Sequence, residues 1–196
     1  RGHVRIYSYN SDTSAWSKLG SDIDGEAAGD LSGYSVSLSA DGRTVAIGAP
    51  TNDDGPGFNS GHVRIYSYNS GTSAWAQLGS DIDGEGAGDQ SGISVSLSAD
   101  GRTVAIGAHL NDGNGADSGH VRIYQYDSSK VAAVTDQASA NFGPIGWNRM
   151  GSDIDGEAGG DVSGLSVSLS ADGQTVAIGS PLHLDDSGNN AGHVRI

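Results

Sequence analysis

Cysteine is absent from this 196-residue chain, which excludes disulfide staples and thiol chemistry. Lysine is nearly absent too, with only Lys18 and Lys130. No apolar run approaches the roughly 20 residues a membrane helix needs. No segment sustains a 3.6-residue apolar period, although residues 129–142 have the composition for a short helix. No nucleophile elbow, phosphate loop or paired Cys/His zinc spacing occurs. An Asn-x-Ser/Thr sequon is missing as well. The first residue is Arg1 with no charged-then-apolar leader behind it, so the chain reads as a processed form or a piece of a longer one.

Against those absences stand 24 acidic residues and 32 glycines, with a formal net charge of −14. Such a surface repels phosphate backbones, so nucleic acid is not an expected partner, and neither is membrane insertion. Divalent cations, basic partners or a saline medium fit better. The glycines, with many Ser, Asp and Asn, point to turns between short strands. Disorder is the rival for this composition, and a regular apolar pattern argues against it.

That pattern is a repeat. "SVSLSADGRTVAIGA" fills 35–49 and recurs letter for letter at 94–108, with "SVSLSADGQTVAIGS" at 166–180. "GHVRI" begins at Gly2, Gly61, Gly119 and Gly192, and "GSDIDGE" at Gly20, Gly79 and Gly151. The units span about 2–60, 61–118 and 119–191, with a further start at 192–196 and an insertion at about 128–146. In each unit Val36, Leu38, Val45 and Ile47, or their equivalents, alternate with small residues around Asp41-Gly42. The Asp-Gly pair predicts a two-residue type I′ hairpin with Leu38 opposite Val45 and Val36 opposite Ile47. Leu97 with Val104, and Leu169 with Val176, obey the same register. "GHVRIYSY" and the less regular "AWSKLGSDI" supply a third and a fourth strand.

Four antiparallel strands per unit, repeated, predict an all-β chain of β-propeller blades. About three blades are present, in a single propeller segment. Because propellers close with 4–8 blades, the chain is expected to be part of a longer propeller, with closure by other copies as the alternative.

At "SGYSVSLSADGRTVAIGAP…SGHVRIY" the unit resembles the FG-GAP repeat, the blade of integrin α-subunit propellers and of many secreted proteins. "SGYSVS", "SGISVS" and "SGLSVS" stand where that family has Phe-Gly-x-Ser-Val. Gly48-Ala49-Pro50, Gly107-Ala108-His109 and Gly179-Ser180-Pro181 stand where it has Gly-Ala-Pro. The resemblance implies an extracellular or cell-surface place and a ligand on one propeller face. The family's calcium loop between the first two strands does not carry over, because the "SADGRT" turn has one carboxylate, Asp41, Asp100 or Asp172, where calcium takes six to eight oxygens.

Antiparallel connectivity puts two acidic loop sets on one face: the second-to-third-strand loops (51–60, 110–118, 182–191) and the crossovers between blades (21–30, 80–89, 152–161). Within the crossovers, Asp22, Asp24, Glu26 and Asp30 have a spacing suited to a calcium loop. The copies are Asp81, Asp83, Glu85 and Asp89, then Asp153, Asp155, Glu157 and Asp161. The structural alternative is that Ile23 points inward, its flanking aspartates are solvated, and Asp30 caps the Gly-rich turn. His3, Arg5 and Tyr7 share a strand face, and the set recurs at 62–66 and 120–124. A His near carboxylates can serve acid–base catalysis, yet an active site is normally unique, so repetition favours packing, with Arg paired to a neighbouring loop. Trp16, Trp75 and Trp147 read as outer-strand anchors rather than sugar platforms. The insertion reads equally as a docking feature or a tolerated loop.

The resulting expectation is a non-enzymatic recognition, adhesion or assembly module. Its expected partners are a protein or glycan ligand on the acidic face and other copies through the terminal strands. An accessory propeller of a secreted enzyme and an architectural subunit of a filament or large complex are the alternatives.

Overall fold

The computed structural model describes residues 1–131, 144–184 and 187–196. The first complete blade pairs Ser35–Leu38, Thr44–Ala49, His62–Asn69 and Ala74–Gln77 in that order, all antiparallel. The second repeats it with Ser94–Leu97, Thr103–Ala108, His120–Tyr126 and Trp147–Arg149. A third contributes Ser166–Leu169, Val176–Ser180 and His193–Arg195. Ahead of them lie outer-strand pairs only, Tyr7–Asn10 with Ala15–Lys18 and His3–Val4 with Ile23–Asp24. The chain is therefore all-β, a partial β-propeller.

The hairpin register is the expected one: Leu38 pairs with Val45 and Val36 with Ile47, and both other copies match. The turn differs from expectation. Gly42 has φ +68°, but Asp41 is not left-handed, so a type I′ turn is excluded. Ser39 and Thr44 close a four-residue loop, and the Gly42 N–H donates to the Ser39 carbonyl. Asp41 is employed as an acceptor instead, taking the Ser39 hydroxyl at 2.6 Å and the Arg43 N–H at 2.9 Å. Two hydrogen bonds to one carboxylate favour this wider turn, and they hold Asp41 below its ordinary carboxylate range.

The irregular fourth strand also resolves. After Gln77 it breaks at Leu78-Gly79, where glycine takes φ +76°, and then resumes as Ile82–Asp83 on the same third strand. The start of each crossover motif is thus strand rather than loop. Ile23 and Ile82 are buried by it, at 6% and 1% exposure.

Alternation sends the two faces of each blade to different neighbours. Val45 and Ile47 face back, onto Val4, Ile6 and Ile23. Ala46, Val63 and Ile65 face forward, onto Val95, Leu97, Val104 and Ile106 of the next blade. Full burial of each Val or Ile side chain stabilises by about 1.5–3 kcal/mol. Small residues permit the close stacking. The Ser35 hydroxyl donates to the Gly92 carbonyl at 2.7 Å, and Ser94 to Gly164 likewise. A Cβ at Gly107 would lie 2.0 Å from the Gly164 carbonyl oxygen, so only glycine fits there. Trp75 and Trp147 donate their indole N–H groups to Leu19 and Leu78 of the preceding outer strand, at 2.8 and 3.0 Å. The tryptophans of the two complete blades are thus packing anchors.

Of the insertion, Ser128–Val131 forms a short 3-10 turn, and most of the helix expected at 129–142 lies outside the described residues. Its downstream end is tied back: the Ile145 N–H donates to the Ser80 hydroxyl at 2.9 Å. Among the described residues no helix is long and apolar enough to cross a membrane.

Candidate functional site

The two acidic loop sets meet on one face, joined by backbone hydrogen bonds. Gly88 N–H donates to Phe58 O, Gln90 to Asn59, Gly160 to Ala116 and Val162 to Asp117. Side chains add to the seam: Asn114 Nδ2 donates to the carbonyls of Gly156 and Glu157, both at 2.9 Å, and Asn111 Nδ2 donates to Asp89 at 2.9 Å. The opposite face carries the hairpin turns, linked blade to blade by Ala40 N–H to Ala99 O and Ala99 N–H to Ala171 O.

The four carboxylates of one crossover go separate ways. Asp22 holds Arg5 and Lys18. Asp24 meets Arg1 at 3.1 Å. Glu26 reaches Arg64 at 3.3 Å. Asp30 is buried and accepts the Ala27 N–H at 2.7 Å, the cap of the Gly-rich turn. Asp89 and Asp161 do the same for Gly86 and for Glu157 and Ala158. In the other crossovers Asp81 accepts from Gln77. Asp153 takes Arg122 at 2.6 Å and Arg149 at 2.6 Å, and Glu85 pairs with Arg122. Asp83 pairs with His62 across the strands, and Asp155 with His120. The backbone carbonyl of Asp155 accepts Arg195 at 2.8 Å, and Glu157 faces the same guanidinium at 3.8 Å.

A shared geometry emerges from those pairs. The Arg of each third strand reaches the Glu of the crossover entering its own blade: Arg64 to Glu26, Arg122 to Glu85, Arg195 to Glu157. The expected pairing of Arg with a neighbouring loop is present at every junction described.

Ligating side chains converge across units rather than within one crossover. Glu26, His62 and Asp81 form one group, Glu85, His120 and Asp153 a second, and Glu157, His183 and His193 a third. Sequence reasoning weighed these carboxylates without the histidines, because Glu26, His62 and Asp81 lie far apart along the chain. The constant spacing of the repeated motifs was the one available signal.

Burial tunes these groups. It pushes the His62 and His120 imidazoles below their ordinary value, against the opposing pull of Asp81 and Asp153. It also pushes Glu26 up, with Arg64 opposing. Burial would raise Asp153, but the Arg122 hydrogen bond and charge outweigh it, leaving that carboxyl below its usual range.

The FG-GAP repeat family model matches residues 21–66 and 81–124, the stretches holding the first two hairpins and most of the third strands that follow them. No curated protein matches the chain. Among solved structures, hydrazine synthase of Kuenenia stuttgartiensis aligns over 97% of this chain and 38% of its own, at 12% identity and a TM-score of 0.46. The periplasmic gluconolactonase PpgL of Pseudomonas aeruginosa aligns over 97% and 45%, at 17% identity and 0.44. A putative 6-phosphogluconolactonase of Bacteroides uniformis aligns over 98% and 62%, at 13% identity and 0.37. The chain thus spans less than two thirds of each. The motif glycines carry the assignment independently of these: Gly33 pairs with Gly48, Gly92 with Gly107 and Gly164 with Gly179, each N–H to carbonyl. By its motif contacts and the family match at 21–66 and 81–124, this chain carries FG-GAP repeats.

Proposed function

We propose that this propeller segment is a non-enzymatic recognition module, extracellular or at the cell surface, that presents its acidic loop face to a protein or glycan ligand. The observation behind this reading is the hydrogen-bonded seam joining both acidic loop sets on one face. Asp53, Asp112 and Asp117 stand exposed along that seam. A rigid scaffold displaying charged loops is a common arrangement for binding, and the acidity favours a ligand with a basic surface.

The test immobilises the chain on a biosensor and screens basic extracellular proteins and glycans. Each hit is then measured again on the D53N/D112N/D117N variant, in which Asn retains the acceptor oxygens used at 53 and 112. An affinity loss of tenfold or more with an unchanged melting midpoint supports the reading. Undiminished binding would place the ligand elsewhere and reject it.

A further inference from the structure

The His62 imidazole is 1% exposed, and its Nδ1 has no hydrogen-bond partner. That nitrogen faces Glu26 Oε2 at 3.9 Å and Asp81 Oδ2 at 3.8 Å. Both distances are too long for a hydrogen bond. They enclose a gap of the size a small ion fills. With metal–ligand bonds of about 2.0–2.2 Å, two donors on a tetrahedral ion stand about 3.4 Å apart. Each carboxylate needs to approach the imidazole by only about half an ångström.

The local charges are arranged to permit it. Glu26 offers its other oxygen, Oε1, to Arg64 at 3.3 Å, which leaves Oε2 directed at the imidazole. A neutral imidazole with its proton on Nε2 offers a lone pair at Nδ1. The carboxylates are the solvent-facing side of the group, at 39% and 29% exposure, which gives an ion an entry path.

The next junction gathers the same three residue types, with Asp153 also held by Arg122 and Arg149. Arg122 holds Glu85 Oε1, and Oε2 lies 4.0 Å from His120 Nδ1, with Asp153 as the third member. A small recess lined by Asp83, Gly84, His120, Arg122 and Tyr124 lies at this junction. Glu157, His183 and His193 form a further group, in which His193 Nε2 is buried without a partner.

We infer that the blade junctions of the acidic face hold a zinc-class divalent cation, coordinated by Glu26, His62 and Asp81 and, in the next copy, by Glu85, His120 and Asp153. Imidazole nitrogen with two carboxylates suits Zn2+ and its first-row neighbours. Calcium prefers an all-oxygen shell, which the crossover carboxylates do not assemble. A fourth position remains for water or for a donor from a ligand. This inference does not depend on the recognition reading, which rests on the exposed aspartates of the seam.

The experiment is calorimetric titration of the intact chain with ZnCl2 and, separately, CaCl2, with Co2+ absorption as a report of coordination. Two to three equivalents of saturable zinc binding are expected, with a melting midpoint that rises in zinc and falls back in chelator. Tetrahedral Co2+ bands should appear and be displaced by zinc. His62→Gln should remove one equivalent. Glu26→Gln, which changes an exposed group, should weaken the same equivalent at least tenfold if His62→Gln fails to fold. Absence of saturable zinc binding, or binding that survives both H62Q and E26Q unchanged, would overturn the assignment. Equal affinity for calcium would also overturn it, since it would mean a site without the imidazole.

Discussion

Single residues in this chain repeat because each meets a partner in the next unit. His109 is the exception that allows a residue-scale test, since it stands where the other copies have Pro50 and Pro181. Burial pushes its imidazole below the ordinary value of 6.5, with Asp117 pulling the other way. A depressed histidine contributes stability that is fully present above its unfolded pKa. That contribution is lost as pH falls from about 6.5 through the folded value. His62 and His120 shift in the same direction. The thermal midpoint should therefore fall between pH 7 and pH 5, and fall less in His109→Gln. A midpoint that is flat in this window, or a variant with the full loss, would contradict the burial argument. The residue pairs explain what the sequence made legible and what it did not. Val36 with Ile47 was readable because strand alternation leaves one choice of register. Glu26 with His62 was not, because their meeting depends on how one blade stacks on the next.

At the scale of elements, the crossover is the most constrained piece of the fold. Its cap, Asp30, Asp89 or Asp161, is followed in each copy by a side-chain residue in the left-handed region: Leu31 at φ +57°, Gln90 at +55° and Val162 at +49°. Non-glycine residues are disfavoured there by roughly 1–2 kcal/mol, Asn much less. Leu31 is half exposed, so replacing it removes little packing. Leu31→Asn should raise the melting midpoint by about 2–4 °C, measured by calorimetry, from about 1 kcal/mol of relieved strain. A lower midpoint would show that Leu31 packing outweighs its backbone cost. The hairpin carries a similar lesson. Asp-Gly marked the turn correctly, but the side chain of Asp41 chose a four-residue loop by accepting the Ser39 hydroxyl and the Arg43 N–H. Propensity located the turn, and hydrogen-bond chemistry set its type. The fourth strand was legible but irregular for a related reason: its break at Leu78-Gly79 interrupts the alternation by which a strand is recognised.

For the whole molecule, a stack of blades behaves as a sum of units and of the interfaces between them. Apolar faces supply the bulk of each interface, and the Arg–Glu tie adds a polar clasp beneath the acidic face. That clasp ties together loops that would otherwise repel one another. The direct measurement is a double-mutant cycle on Glu85 and Arg122 by urea unfolding, using Glu85→Gln, Arg122→Met and the pair. Arg122 also holds Asp153, so its single substitution should cost more than that of Glu85. The account predicts that both singles destabilise and that the pair departs from additivity by at least about 0.5 kcal/mol. Strict additivity would mean that the two side chains act independently, and the acidic face would then be a set of solvated loops rather than a clasped surface.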